Sequence, residues 1–100
     1  MENNELNKKI IEIVKVSDYK LKSMQIDNLH FGNIIVILES RNELIRFVQD
    51  RGDIYKERKS LTSEYWGDQV LEYSHAVKMD NSFSLLILAI ENFINKKQNT

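Results

Sequence analysis

Residues 31–60 read FGNIIVILES RNELIRFVQD RGDIYKERKS, and this stretch decides the fold. An apolar run is followed by a turn, an alternating run, a second turn and a second alternating run. Residues 34–38 are five aliphatics, four of them β-branched. Such side chains are stiff at χ1 and suit a pleated sheet. An unbroken apolar run of this length predicts a strand buried on both faces, near the middle of a sheet. Arg41-Asn42 supplies the first turn, since Asn tolerates left-handed backbone angles. Arg51-Gly52, flanked by Asp50 and Asp53, supplies the second and puts glycine where a positive φ is needed. The pattern predicts a three-stranded antiparallel meander with strands at about 33–39, 43–50 and 53–59.

Two-residue loops at both turns set a register. Leu38 faces Ile45, Val36 faces Phe47 and Ile54 faces Gln49, all on one greasy face. The opposite face carries Ile35, Ile37, Val48 and Tyr55, mixed with Glu39, Leu44, Arg46, Glu57 and Lys59. Arg46 then faces Glu57, an opposite-charge pair contributing roughly 0.2–1 kcal/mol. One more residue in the second loop would slide the register and break that pair. The greasy face needs a cover, which the two ends of the chain must provide.

The N-terminal cover is an amphipathic helix at about 5–16. Leu6, Ile10, Ile13 and Val14 fall on one helical face, and Asn3 or Asn4 can cap its start. Residues 17–28 read either as a continuation of this helix or as a strand. Tyr19 and Leu21 alternate, then Met24 and Ile26, with a slip at Ser23. A strand over 19–26 with a bulge explains that pattern and shields one edge of the meander. After the meander, Trp66 is expected to plug the core. Asp68 reads as the cap of a helix at about 68–78, with Val70, Leu71, Ser74 and Val77 as its mildly apolar face. Asp80-Asn81-Ser82 reads as the cap of a last helix at about 82–96. Its wide apolar stripe runs from Phe83 through Leu86, Ile87, Ile90 and Phe93 to Ile94.

One hundred residues, 42% apolar and 29% charged, are ordinary for one soluble globular domain with one core. The chain contains no cysteine, which excludes disulfides and thiolate metal sites. The polar start MENNELNKK lacks the basic n-region and apolar core of a signal peptide. The longest apolar run, residues 85–90, is far short of a membrane span. A cytoplasmic location is therefore expected, with no membrane contact. The net charge is −1 with both signs mixed, and no basic excess points to nucleic acid.

Several motifs have plain explanations. Arg51-Gly52-Asp53 spells the integrin-binding tripeptide, but turn chemistry accounts for it. His30 and His75 lie on different elements without metal-ligand spacing. Glu72 stands three residues before His75 and would orient it as a base, yet a surface pair explains the spacing equally. Asp50 and Asp53 would bring two carboxylates close, but further ligands are missing and Asp favours turns. Tyr19, Lys20 and Lys22 interleave an aromatic with bases, too sparsely to bind nucleic acid. No catalytic residue, metal site or cofactor is expected, and the chain reads as a non-enzyme. Glu64, Asp68 and Glu72 are spaced by four. On one helix they would form an acidic stripe with Tyr65, Gln69 and Tyr73 beside it, although Gly67 interrupts it. The stripe is a solvated face or a docking surface, and tyrosines among acids suit an interface. Glu64, Tyr65, Asp68, Glu72 and Tyr73 are accordingly the candidate partner-binding residues.

Gly32-Asn33-Ile34-Ile35-Val36, then Asp50-Arg51-Gly52, Ile54-Tyr55 and Trp66, form a pattern that resembles a group of small bacterial proteins. In these, a Gly-Asn strand, a strand ending in Asp-Arg-Gly and an alternating strand precede a Trp-led helix. Some are similar to immunity proteins, the cytoplasmic antitoxins of polymorphic toxin systems. The likeness spans residues 32–66 and concerns strands and turns, so no binding residue carries over. The expected architecture is α+β: a three- or four-stranded antiparallel meander covered on one face by N-terminal and C-terminal helices. The resemblance implies an immunity-type inhibitor that binds a cognate toxin. The alternative is a homodimeric structural or regulatory domain using the face around Ile35, Ile37, Val48 and Tyr55.

Overall fold

A computed structural model describes residues 3–27, 33–74 and 83–98. In chain order these are helix α1 (Asn3–Val14), strands β1 (Lys20–Asp27), β2 (Asn33–Glu39), β3 (Glu43–Asp50), β4 (Asp53–Ser60) and β5 (Val70–Tyr73), and helix α2 (Ser84–Gln98). The five strands make one antiparallel sheet in the order β1-β2-β3-β4-β5. The sheet is thus wider than the three or four strands expected. None of the described helices is long and apolar enough to cross a membrane.

The central register follows the alternation of the sequence. Val36 pairs with Phe47, Leu38 with Ile45, and Gln49 with Ile54. Their parity puts Ile34, Val36, Leu38, Ile45, Phe47 and Ile54 on one face, where all six are fully buried. Both turns have two central residues, but they close differently. At the second, Arg51 and Gly52 take φ of 52° and 89°, the left-handed pair that matches strand twist. At the first, Asn42 is not left-handed. The Ser40 hydroxyl instead accepts from the Asn42 and Glu43 amides at 3.3 and 3.2 Å, and the Ser40 amide donates to the Glu43 carbonyl at 3.0 Å.

β1 extends the sheet beyond β2, and its register slips between Leu21 and Ser23. This bulge keeps Tyr19, Leu21, Met24 and Ile26 all turned toward the core despite their broken alternation. Residues 17–18 are not helical: α1 stops at Val14, where the Ser17 hydroxyl donates to the Val14 carbonyl at 2.7 Å. Asn3 and Asn4, the expected caps, are both within α1.

The two helices cover the apolar face. α1 packs on β1 and α2, and α2 packs on β3 and β4. Leu6, Ile10 and Val14 of α1 meet Leu86, Ile90, Phe93 and Ile94 of α2 over the sheet. Phe93 stands edge-on to both Tyr19 and Phe47, with centroids 5.2 and 5.9 Å apart, a geometry that aromatic quadrupoles favour. A buried polar residue also sits in this layer. Gln49 is only 7% exposed, and among the described residues its Oε1 has no hydrogen-bond partner.

Two expectations for the segment after the meander are corrected. No helix runs over 68–74: residues 66–69 are irregular and Val70–Tyr73 is a strand. The outer edge of β4 explains this. Ile54, Tyr55 and Lys56 present unpaired backbone groups there, and β5 satisfies them through Tyr73, Leu71 and Val70. A helix would leave that edge open. Asp68 is therefore not a helix cap, and the Trp-led helix suggested by resemblance is not formed over these residues. Trp66 does not plug the core either. It lies over Arg46, on the sheet face away from the helices. Residues 75–82, which include the rest of that expected helix and the Asp80-Asn81-Ser82 cap, lie outside the described residues. So does His30.

Candidate functional site

The loop 61–69 and β5 form the segment that carries the five candidate partner-binding residues. The loop is held at several points. The Ser63 amide donates to the Ser60 carbonyl at 3.2 Å, and the Gly67 amide donates to the Arg58 carbonyl at 2.7 Å. Lys59 Nζ donates to the Ser63 carbonyl at 3.0 Å. The Ser63 hydroxyl both donates to the Tyr65 carbonyl and accepts from the Tyr65 amide. These bonds present Tyr65 on a fixed platform, with 79% of its surface exposed.

Glu64 and Asp68 are exposed in the same loop. Val70 and Leu71, at the start of β5, are each about half exposed. Glu72 is partly buried and pairs with Lys56 Nζ at 3.0 Å. Tyr73 packs on the core and its hydroxyl accepts from Asn92 Nδ2 at 3.3 Å. The helical acidic stripe therefore does not exist. Glu64, Tyr65 and Asp68 point into solvent from a loop, whereas Glu72 and Tyr73 are engaged by β4 and α2. The exposed apolar side chains Val70 and Leu71 join the surface in their place.

Behind this segment lies a polar arrangement that residue spacing only half reveals. Arg46 Nε and Nη2 donate to Glu57 Oε1 and Oε2, both at 2.9 Å. The register predicts that pair. The Trp66 ring, however, stacks with its centroid 4.2 Å from the Arg46 guanidinium carbon, and Lys59 Nζ lies 5.6 Å from the same ring. This cation–π contact pins the loop to the sheet. It also occupies the middle of the face proposed for a homodimer, where Ile35, Ile37, Val48 and Tyr55 are partly buried.

A second cluster lies at the far end of the sheet. The Tyr19 hydroxyl donates to Glu43 Oε1, and Arg58 Nη2 donates to both Glu43 oxygens at 2.9 Å. Burial, then the bond to Glu43 and its charge, push the Tyr19 hydroxyl up to about 12. This tyrosine holds its proton and acts as a donor, not a base. The three residues are far apart in sequence and share no spacing. Only the lone aromatic before β1 hinted that Tyr19 belongs to the core.

The remaining sequence candidates resolve simply. Asp50 pairs with Asp53 across the turn, and the Tyr55 hydroxyl donates to Asp53 Oδ2 at 3.2 Å. Burial and that bond raise the Tyr55 hydroxyl. Among the described residues, no group of three or more His, Cys, Asp or Glu is placed to hold a metal. Lys20 and Lys22 lie on β1, and Lys22 pairs with Glu39 at 2.9 Å. His75, the residue expected to stand beside Glu72, lies outside the described residues. No protein-family model, no curated protein and no solved structure matches the chain.

Proposed function

We propose that this chain is a non-enzymatic protein-binding protein, and most specifically an immunity-type inhibitor that occludes a bacterial toxin. One observation carries the reading: Tyr65 is almost fully exposed on a loop that hydrogen bonds and the Trp66–Arg46 stack hold in place. A large amphipathic side chain on a rigid platform offers contact area at little ordering cost, which is what binding hot spots use. Glu64 and Asp68 flank it with acid, and Val70 and Leu71 continue it with apolar surface. The fit is to a basic or mixed surface on the partner. With a net charge of −1, affinity comes from contact more than from long-range steering.

The test is co-production with the toxin domain encoded beside the gene. The wild-type chain restores growth of cells making that toxin and binds it in pure form. Tyr65→Ala weakens that binding by about thirty-fold, the scale of a hot spot, with an unchanged melting curve. A gene neighbourhood without a toxin removes the immunity reading. Rescue and affinity untouched by Tyr65→Ala and Leu71→Ser remove this surface.

A further inference from the structure

We propose that Lys59 is the positioning residue of the Tyr65 surface. It clamps the loop on both sides of Glu64-Tyr65 and so sets how tightly that surface binds its protein partner. The inference rests on Tyr65 being a contact of that partner, as proposed above. It assigns a binding role to a side chain that acts through Tyr65 and not by touching the partner.

The cations of β4 are used differently. Lys56 pairs with Glu72 at 3.0 Å, and Arg58 pairs with Glu43 at 2.9 Å. Lys59 has no carboxylate partner among the described residues, although it is partly buried. A cation withdrawn from water needs compensation. Here the loop supplies it: Lys59 Nζ donates to the Ser63 carbonyl at 3.0 Å and lies 5.6 Å from the centroid of the Trp66 ring. Charge-assisted bonds are about twice as strong as neutral ones, and a ring face adds to them. The charge of Lys59 therefore goes into holding the loop.

Its two contacts bracket the site. Ser63 fixes both backbone groups of Tyr65 through its hydroxyl, and Trp66 follows Tyr65 directly. One ammonium thus joins the residue that holds the Tyr65 backbone to the ring beside it. Without that ammonium, Ser63 is held to β4 by its amide bond to the Ser60 carbonyl alone, and Tyr65 moves with Ser63. Ordering Tyr65 at the moment of binding then weakens the complex, whereas in the wild type folding has already ordered it. Arg46 also touches Trp66, but it is bound to Glu57 within the sheet. Lys59 is the anchor that can be changed without breaking an ion pair.

The experiment compares Lys59→Met, which keeps the stem and removes the charge, with Lys59→Arg, which keeps a donor and a cation. The first readout needs no partner: backbone order of residues 63–66 in the full chain, from magnetic relaxation of the amides. Wild type should show order parameters of about 0.85 there, and Lys59→Met should fall below about 0.6. Lys59→Arg should stay near wild type. The second readout is affinity for the toxin domain used in the co-production test. Lys59→Met should weaken it about five-fold, and that loss should vanish in the Tyr65→Ala background, because the two residues act as one unit. Unchanged order in Lys59→Met overturns the proposal. So does lost order with unchanged affinity, or a loss that simply adds to that of Tyr65→Ala, the mark of a direct contact. If Tyr65→Ala itself leaves affinity untouched, the surface reading fails and the binding role of Lys59 fails with it. The order measurement then shows separately whether the clamp exists.

Discussion

Arg46 and Glu57 face each other across β3 and β4 and share two parallel hydrogen bonds of 2.9 Å. The pair is partly buried, with side-chain exposures of 26% and 11%, and Trp66 closes over the guanidinium. Glu57→Gln keeps the shape and removes the charge. It leaves an uncompensated cation under the indole and should cost about 1–3 kcal/mol in urea unfolding. The double variant Arg46→Met, Glu57→Leu should recover most of that loss, because paired apolar groups avoid the desolvation penalty. If Glu57→Gln is neutral, the pair is only a surface contact.

Trp66 is the single tryptophan and therefore reports its own loop. A Cβ on Gly67 would meet the Arg58 carbonyl oxygen at 2.9 Å, in place of the 2.7 Å bond that the Gly67 amide now makes there. Gly67→Ala should push the loop off β4, shift tryptophan emission to the red and lower stability by about 1 kcal/mol. An unchanged emission maximum would show that the loop adapts without moving Trp66.

The turn between β3 and β4 asks for two left-handed residues and has one glycine. Gly52→Ala places a Cβ at φ 89° and should destabilise by about 1–2 kcal/mol. Arg51 sits at φ 52°, where Asn is better tolerated, so Arg51→Asn should stabilise by a few tenths up to about 1 kcal/mol. Denaturation midpoints of the two variants should move in opposite directions.

Gln49 lies in the core layer between Ile34 and Ile54 with its Oε1 unpartnered. Gln49→Met keeps the side-chain length and removes the buried acceptor. Stability should rise by about 1 kcal/mol, read as a higher melting temperature. A loss would mean that the amide is satisfied through water.

The Tyr19 hydroxyl has its pKa pushed from 10.0 up to about 12 by burial and by Glu43. Its folded pKa is above its unfolded value. The stabilisation is therefore complete below pH 10 and is lost as pH rises through about 12. Wild-type stability should fall across that window. Tyr19→Phe should start lower and lose less between the same pH values, as followed by denaturant midpoints.

The central ladder was legible because its determinants are local. Period-two alternation over residues 43–59 and the Arg51-Gly52 turn set a register in which a one-residue slip would turn every core side chain outward. That logic placed Val36 on Phe47 and Arg46 on Glu57. The slip at Ser23 likewise exposed the bulge of β1. The candidate surface was legible only as residue types. Tyr65 with acids on either side is a residue pattern that suits an interface, but its mounting does not follow from spacing.

What the chain determined by itself was the meander, its register, its greasy face and the helices that cover it, since each depends on neighbours within a turn or a hairpin. Tertiary structure alone decided the rest. Val70, Leu71, Ser74 and Val77 fit a helix by period, yet Val70–Tyr73 is a strand because β4 has an open edge that only a strand can pair. Trp66 reads as a core plug by size, yet it stacks on Arg46 because a guanidinium on the other face offers its ring a better partner. Tyr19, Glu43 and Arg58 meet only after β1 to β4 have aligned. Hydrogen-bond demand at a sheet edge and charge beneath an aromatic ring come from distant segments, and no local pattern records them.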